Sequence, residues 1–191
     1  MEALKIHLIG ASGSGTTTLA RALAPALGAV ALDSDDYYWL PTQPPFQSKR
    51  DRALRHRLVT ADLARHPRAI LSGAILGWGD DLEHAFDLVV FLSLPHDLRV
   101  RRLREREIAR NGAINETFIA WAAGYDDDPP SSPTRNRRRQ HAWLSERRCQ
   151  VLRLEGDLSV AERVALTLGH LAALPPAASR APIPLSTSAP A

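Results

Sequence analysis

The sequence predicts a three-layer α/β fold in which a five-stranded parallel sheet carries a phosphate-binding loop after its first strand. Two observations favour this class: short apolar segments alternate with helical patterns, and a glycine-rich turn directly follows the first apolar segment. Strands buried inside a parallel sheet have such short, continuously apolar segments. The five candidate strands are residues 4–9, 29–32, 69–72, 88–92 and 150–154.

Helical patterns separate these strands, and capping residues predict where the helices begin and end. We expect Gly28 to end the first helix and Ser48 to cap the second. Pro95 suits the first position of the third helix. The last helix is expected to begin with a capping box from Ser159 to Glu162.

Length and composition favour one domain that needs no disulfide. The chain has 191 residues, of which 45% are hydrophobic, and a single cysteine. No run approaches the ~18 apolar residues of a spanning helix, so we expect a cytoplasmic protein without a membrane partner. A net charge of +3 is too small to indicate nucleic acid by itself, and the sequence leaves the oligomeric state open. We expect a domain over residues 1–173 and a disordered tail over 174–191.

The glycine-rich turn matches the phosphate-loop pattern G-x-x-x-x-G-K-[ST] except at one position. Gly10 and Gly15 are the two fixed glycines, and Thr17 is the hydroxyl expected to ligate Mg²⁺. Thr16 stands where the pattern has lysine, so a neutral side chain replaces a cation. The backbone can still cradle phosphates at a helix N-terminus. The expected phosphate-contacting residues are Gly10, Ala11, Ser12, Gly13, Ser14, Gly15, Thr16, Thr17 and Thr18.

An acidic and aromatic cluster, residues 33–39, follows the second strand. Ligands of an open α/β sheet bind beyond the carboxyl ends of its strands, which puts this cluster on the edge that carries the loop. Asp33 and Asp35 could divide magnesium ligation and acceptance of a hydroxyl proton. Tyr38, together with Trp78 after the third strand, could line an acceptor pocket. The alternatives are a solvated acidic turn and, for Trp78, a surface anchor.

Basic residues elsewhere are candidates for contacting phosphates. Lys49 and Arg50 open the next helix, where cations oppose the helix dipole, so an anionic group on the acceptor would explain them, as would simple solvation. Arg102 and Arg106, four residues apart, share one helical face. It is equally possible that Arg102 and Arg106 simply lie on a solvent-exposed face of the helix. Residues 125–139 end in arginines and could be a lid that closes on nucleotide, or a flexible polar loop.

With these motifs in place, residues 4–172 resemble the small P-loop kinases of the adenylate, shikimate, gluconate and uridine kinase group. The GASGSG of residues 10–15 looks like their phosphate loop, and the Asp-Ser-Asp of residues 33–35 looks like the shikimate kinase D-T-D. Residues 102–106 are similar to the R-L-x-x-R segment whose arginines reach adenine and phosphates. Residues 72–73 are Ser-Gly where an adenylate kinase has Asp-Gly. The lysine-free GASGSGTTT form resembles bacterial proteins labelled adenylate kinase or AAA-family ATPase.

The resemblance implies a P-loop NTPase fold like that of nucleoside and shikimate kinases, and an ATP-dependent kinase that uses Mg²⁺. The acceptor would be a nucleotide, a nucleoside or a similar small hydroxyl compound. It implies Thr17 and Asp33 at the metal, with Asp35 as the alternative carboxylate there, Asp35 at the acceptor hydroxyl, and Arg102 and Arg106 at the phosphates. Two other interpretations stay open: a nucleotide sensor that does not transfer phosphate, because Thr16 replaces lysine, and a lid that binds RNA.

Overall fold

A computed structural model describes residues 2–127 and 135–174, and its sheet has five parallel strands in the order β2-β3-β1-β4-β5. The predicted strands are all present, and each end differs by at most one residue. The strands are β1 (Leu4–Gly10), β2 (Val30–Asp33), β3 (Arg68–Ser72), β4 (Leu88–Ser93) and β5 (Gln150–Glu155). The helices are α1 (Thr16–Leu27), α2 (Ser34–Tyr38), α3 (Arg52–Arg65), α4 (Asp80–Glu83), α5 (His96–Asn111), α6 (Glu116–Ala123), α7 (Arg137–Ser145) and α8 (Val160–Ala173).

Helices cover both faces of the sheet, as the apolar strands require. Alternate residues of β1 face opposite ways: Ile6 and Leu8 pack in the core under α1 and α8, and Ile9 packs in the core under α3 and α7. The strand β1 lies at the centre of the sheet, with β3 and β2 on one side of it and β4 and β5 on the other. The crevice at its carboxyl end is where an open α/β sheet binds ligands.

Several helix ends agree with the sequence prediction. Gly28 ends α1 in the left-handed conformation, and Ser159 and Glu162 form the capping box at the start of α8. Pro95 is the N-cap of α5, so that helix begins one residue later than expected. No helix in the described part of the chain is both long and apolar enough to cross a membrane.

The prediction that Ser48 caps the second long helix is wrong. Asp51 is the N-cap of α3, and its carboxylate accepts a hydrogen bond from the backbone N–H of Leu54 at 3.0 Å. The chain at Lys49 is still extended, because it forms an antiparallel bridge with Trp39. That pairing delays the start of the helix by three residues.

The predicted lid, residues 125–139, is described only at its two ends. A 3₁₀ turn (Gly124–Asp127) precedes the gap, and α7 begins at Arg137. Residues 128–134 lie outside the described part, and so do residues 175–191 of the predicted tail.

Candidate functional site

The loop between β1 and α1 has a backbone that accepts only glycine at several positions. Gly13 and Gly15 have φ values of +87° and +95°, which side chains rarely adopt. A Cβ on Gly10 would overlap the carbonyl oxygen of Leu92, and one on Gly13 would lie 2.9 Å from the carbonyl oxygen of Arg99. The loop is therefore a close backbone turn that packs against the ends of β4 and α5.

The helix α1 begins directly after the loop, so its N-terminus lies beside the glycine turn. Thr16, Thr17 and Thr18 are the first residues of α1, and its N-cap, Gly15, makes no side-chain capping bond. The N–H groups of a first helical turn need a partner from outside the helix. A phosphate chain suits this arrangement in charge and in hydrogen bonding. The loop thus fits the polyphosphate of ATP without the lysine that Thr16 replaces.

Thr17 and Asp33 meet at the carboxyl edge of the sheet. The Thr17 hydroxyl donates to Oδ2 of Asp33 at 2.8 Å. Asp33 caps α2, because its Oδ1 accepts the backbone N–H of Asp35 at 3.1 Å. Ser72, which stands where an adenylate kinase has aspartate, donates its hydroxyl to the carbonyl oxygen of Leu32.

A hydroxyl and a carboxylate oxygen beside a phosphate loop fit magnesium, which prefers oxygen ligands. Within residues 2–127 and 135–174, no three His, Cys, Asp or Glu side chains converge into a metal site. Magnesium at Thr17 and Asp33 would consequently share its coordination with phosphate oxygens and water, as it commonly does in kinases.

Asp35 is two residues after Asp33, in the first turn of α2, and several charged groups affect its carboxylate. Burial raises the pKa of Asp35, the guanidinium of Arg135 lowers it, and the carboxylate of Asp33 raises it again. The Arg135 Nη2 lies 3.5 Å from Oδ1 of Asp35. Arg135 belongs to the segment predicted to be a lid, and this ion pair joins that end of the segment to Asp35. The balance makes Asp35 a better proton acceptor than an ordinary carboxylate.

An aromatic pair beside Asp35 is surrounded by cations. The rings of Tyr38 and Trp78 stack with their centroids 6.1 Å apart. The guanidinium of Arg55 lies 4.8 Å from the centroid of Tyr38 and 4.6 Å from that of Trp78. Arg135 lies 5.0 Å and Lys49 lies 5.9 Å from the Tyr38 centroid. This group of five residues, the aromatic–cation cluster, combines flat apolar surface with positive charge.

Sequence reasoning missed Arg55. It lies on the buried face of α3, in line with Val59 and Leu63 at intervals of four residues, and is 8% exposed. A lone arginine in an otherwise apolar helical stripe was the available signal.

Glu83 fixes the loop that carries Trp78. Its Oε1 accepts the backbone N–H groups of Gly77 at 2.6 Å and Trp78 at 3.2 Å, and its Oε2 accepts the indole N–H of Trp143 at 2.6 Å. The buried carboxylate thereby joins the aromatic–cation cluster to the core under α7.

Arg50, which the sequence made a candidate for contacting an acceptor, binds backbone carbonyl oxygens in this structure. Its guanidinium donates to the backbone carbonyl oxygens of Tyr37 at 3.0 Å and Trp39 at 3.3 Å. These are orphan carbonyls at the end of α2, which a cation stabilises. In this arrangement Arg50 holds the backbone around Tyr38, while Lys49 faces the ring.

The two arginines predicted to act together on α5 contact different neighbours. Arg102 forms an ion pair with Asp157, in the loop after β5. Arg106 lies over the ring of Phe118 at 5.8 Å. Burial lowers the pKa of Arg106, as does Arg110, whereas the carboxylate of Asp35 is among the charges that raise it. The charge of Asp35 thus acts on Arg106.

A cavity of about 720 Å³ opens on the other side of the loop, beyond the ends of β4 and β5. Ala11 of the loop lines it, and so does Asp126, which accepts a hydrogen bond from Arg99 at 3.0 Å. The strand order puts this cavity and the Asp33–Asp35 segment on opposite sides of β1.

Comparison with solved structures shows the P-loop kinase fold of shikimate and gluconate kinases. A gluconokinase from Sinorhizobium meliloti 1021 superposes with a TM-score of 0.56 at 17% identity, over 89% of this chain and 92% of that one. A shikimate kinase from Bacteroides thetaiotaomicron has a TM-score of 0.56 at 18% identity, over 88% and 98%. A shikimate kinase from Acinetobacter baumannii, in complex with shikimate, has a TM-score of 0.52 at 19% identity, over 89% and 93%.

The sequence comparison identifies a much nearer relative. No protein-family model matches the chain. The uncharacterized protein YqaC of Bacillus subtilis (strain 168) is 43% identical over 176 residues, which cover 87% of this chain and 96% of the relative. The chain thus belongs to the same family as YqaC, and it has the P-loop kinase fold.

Proposed function

We propose that this protein is an ATP-dependent phosphotransferase that acts on the hydroxyl group of a small anionic acceptor, such as a nucleotide or a sugar acid. The observation that carries the proposal is the Thr17–Asp33 hydrogen bond of 2.8 Å, made next to a glycine cradle and two residues from Asp35. A phosphate site, a pair of magnesium ligands and a carboxylate are the parts that phosphoryl transfer to an alcohol needs.

Each part has a distinct role in the reaction. The loop N–H groups bind the phosphates, and Thr17 with Asp33 would hold Mg²⁺, which neutralises charge on the phosphate oxygens. The carboxylate of Asp35 takes the proton from the hydroxyl group of the acceptor while the oxygen of that hydroxyl bonds to the γ-phosphorus. The bond from that phosphorus to the bridging oxygen breaks, and ADP leaves with the electron pair. Arg106 stabilises the negative charge that spreads over the transferred group.

The aromatic–cation cluster supports an anionic acceptor. Arg55 is mostly buried and lies over the rings of both Tyr38 and Trp78. Arg135 and Lys49 lie over the Tyr38 ring. A carboxylate or phosphate on the acceptor would partner these cations with short, charge-assisted hydrogen bonds. The flat faces of the two rings suit a sugar or a base ring.

The missing loop lysine supports one other candidate, a nucleotide sensor. Thr16 supplies no charge to a transferring phosphoryl group, and cations in such positions contribute about 10³-fold or more to the rate of related reactions. A sensor would bind ATP through the same loop but would not consume it faster when an acceptor is present.

A screen of paired acceptors tests the proposal. ADP formation is measured with ATP and Mg²⁺ for each neutral compound and its anionic partner: nucleoside and nucleoside monophosphate, sugar and sugar acid. We expect at least one anionic member to raise the rate of ADP formation about tenfold or more over its neutral partner. Binding of ATP without any acceptor-dependent ADP formation would leave the sensor as the better interpretation.

Arg55→Gln, assayed with the acceptor from that screen, tests the anionic site. Loss of the cation should raise the KM for the anionic acceptor about tenfold, with a smaller effect on the KM for ATP. Arg57→Gln is the matched control, because Arg57 is exposed on the same helix. Equal KM values in the two variants would show that Arg55 does not bind the acceptor.

A further inference from the structure

A buried arginine that sequence reasoning did not single out contacts the phosphate loop from outside. Arg163, on α8, is 4% exposed, and its Nη1 donates to the carbonyl oxygen of Ser14 at 2.6 Å. Its Nη2 donates to the carbonyl oxygen of Gly156 at 3.3 Å. A Cβ built on Gly15 would lie 3.1 Å from the same Nη1. The capping box at Ser159 starts α8 so that Arg163, in its first turn, reaches the loop.

The charge of Arg163 has no carboxylate partner at ion-pair distance among the described residues. Burial lowers the pKa of Arg163, Arg102 lowers it too, and Asp157 raises it. Asp157, however, is ion-paired with Arg102, and the Nε of Arg163 has no hydrogen-bond partner within the described part of the chain. A buried guanidinium bonded only to carbonyl oxygens leaves net positive charge beside the loop.

The contact with Ser14 links this charge to the next N–H group of the loop. The carbonyl of Ser14 and the N–H of Gly15 belong to one trans peptide group, so they point in opposite directions. Because Arg163 binds the carbonyl oxygen, the N–H of Gly15 is directed away from Arg163. A charge-assisted bond to the carbonyl also polarises the peptide and strengthens its N–H as a donor.

We propose that Arg163 is a positioning residue that compensates for the absent loop lysine: acting through the Ser14–Gly15 peptide, it supplies the positive charge with which the loop binds the polyphosphate of a nucleoside triphosphate. The inference rests on the part of the proposed function in which the loop binds polyphosphate, and it does not depend on phosphate transfer. Arg102 is less suited to this role, because Asp157 neutralises it.

Calorimetric binding of MgATP and of magnesium tripolyphosphate to the full chain tests the role of the charge. Arg163→Gln keeps an amide donor but removes the charge, and we expect it to weaken binding of both ligands tenfold or more. Adding Thr16→Lys to Arg163→Gln returns a cation to the loop and should recover most of that loss. In the otherwise unchanged chain, Thr16→Lys should gain much less, because the two cations act on the same phosphates.

A matched control separates the charge from the general effect of losing a buried arginine. Arg147, under α7 on the opposite face of the sheet, has a side chain 2% exposed. Arg147→Gln should lower the melting temperature without changing the affinity for tripolyphosphate. A purely structural role of Arg163 would give a loss that Thr16→Lys does not recover, and that result would overturn the proposal.

The remaining outcomes are also decisive. If Arg163→Gln binds both ligands within twofold of the unchanged chain, the inference is wrong while the loop assignment stands. If the unchanged chain binds neither ligand, the proposed function fails together with the inference. If Arg163→Gln does not fold, Arg163→Lys keeps the charge and should bind within about threefold; a folded Arg163→Lys that has lost tenfold or more would overturn the proposal.

Discussion

At Asp35, the requirements of folding and of the proposed chemistry oppose each other. Burial and the neighbouring Asp33 raise the pKa of its carboxyl, and Arg135 only partly offsets them. An acid whose pKa is higher in the folded state contributes stability at low pH, and this is lost as the pH rises through the folded pKa. The raised pKa therefore predicts that the charged form of Asp35, whose side chain is 48% exposed, does not stabilise the fold at neutral pH.

Asp35→Asn removes this charge with little change in size. We expect turnover to fall about 100-fold or more, because the proton acceptor is gone, while ATP still binds. The melting temperature at pH 7 should not fall. Assays of ADP formation measure the turnover, and scanning calorimetry measures the melting temperature. Asp36→Asn, on the exposed side of the same short helix, is the control and should keep its turnover. Normal turnover in Asp35→Asn would move the proton acceptor elsewhere.

His7 predicts the response of the fold to acid. Its ring is fully buried in the middle of β1, and burial lowers its pKa to about 3, from an ordinary value of 6.5. The unfolded chain takes up a proton below pH 6.5 and the folded chain does not, so stability falls as the pH drops from 6.5 toward 3. The slope from this one group is at most about 1.4 kcal/mol per pH unit.

Denaturant unfolding of the unchanged chain and of His7→Gln, from pH 7 to pH 4, isolates this effect. His7→Gln should be less stable at pH 7, since the buried contact of His7 with the carbonyl oxygen of Leu71 is altered. Its free energy of unfolding should depend less on pH. Parallel pH dependences for the two proteins would mean that His7 is not the group that titrates.

Among the elements, α5 carries Arg106, which lies over the Phe118 ring of α6. Arg106→Ala should lower turnover about 100-fold, because a cation near the transferred phosphoryl group is lost, with little change in ATP affinity. Arg101→Ala on the same helix is the control, since the Arg101 side chain is 68% exposed. Kinetic constants for the two variants give the comparison. If both keep full turnover, α5 supplies no cation to the reaction.

The short helix α4 positions Glu83 against the loop that carries Trp78. Glu83→Ala leaves the indole N–H of Trp143 and the N–H groups of Gly77 and Trp78 without their acceptor, and a lost partner of this kind costs about 3 kcal/mol or more. Urea unfolding should register that loss, and tryptophan fluorescence should shift as Trp78 is released. Glu146→Ala, at a carboxylate 71% exposed, should change stability by less than about 0.5 kcal/mol. Equal stabilities of the two variants would exclude this role.

Elements defined by local patterns were predictable, and elements defined by distant contacts were not. The strands follow from apolar runs, and the start of α8 follows from the capping box at Ser159. The start of α3 does not, because Lys49 is held extended by its bridge to Trp39. Arg55 and Arg163 were missed for the same reason: each is a polar residue in a helical stripe whose partner comes from a different part of the chain.

At the scale of the whole molecule, the topology assembles the site. The loop follows β1 at the centre of the sheet, and Asp33 follows β2 at its edge, yet the Thr17 hydroxyl reaches Asp33 because all strands end on the same side. The position of this edge was predictable from the alternation of strands and helices. Of the cations near it, Lys49 and Arg106 were candidates from the sequence, whereas Arg55 on α3 and Arg163 on α8 were not, because local patterns do not specify how these two helices pack.

The central claim is that a phosphate loop without its lysine still supports phosphoryl transfer, and the fate of the γ-phosphate tests it directly. The protein is incubated with Mg²⁺, γ-labelled ATP and the acceptor from the paired screen, and labelled products are separated. We predict label on the acceptor, formed in proportion to ADP, and formed about 100-fold or more slowly with Asp35→Asn. Label that stays in ATP despite tight ATP binding, or that appears only as inorganic phosphate, would contradict the account.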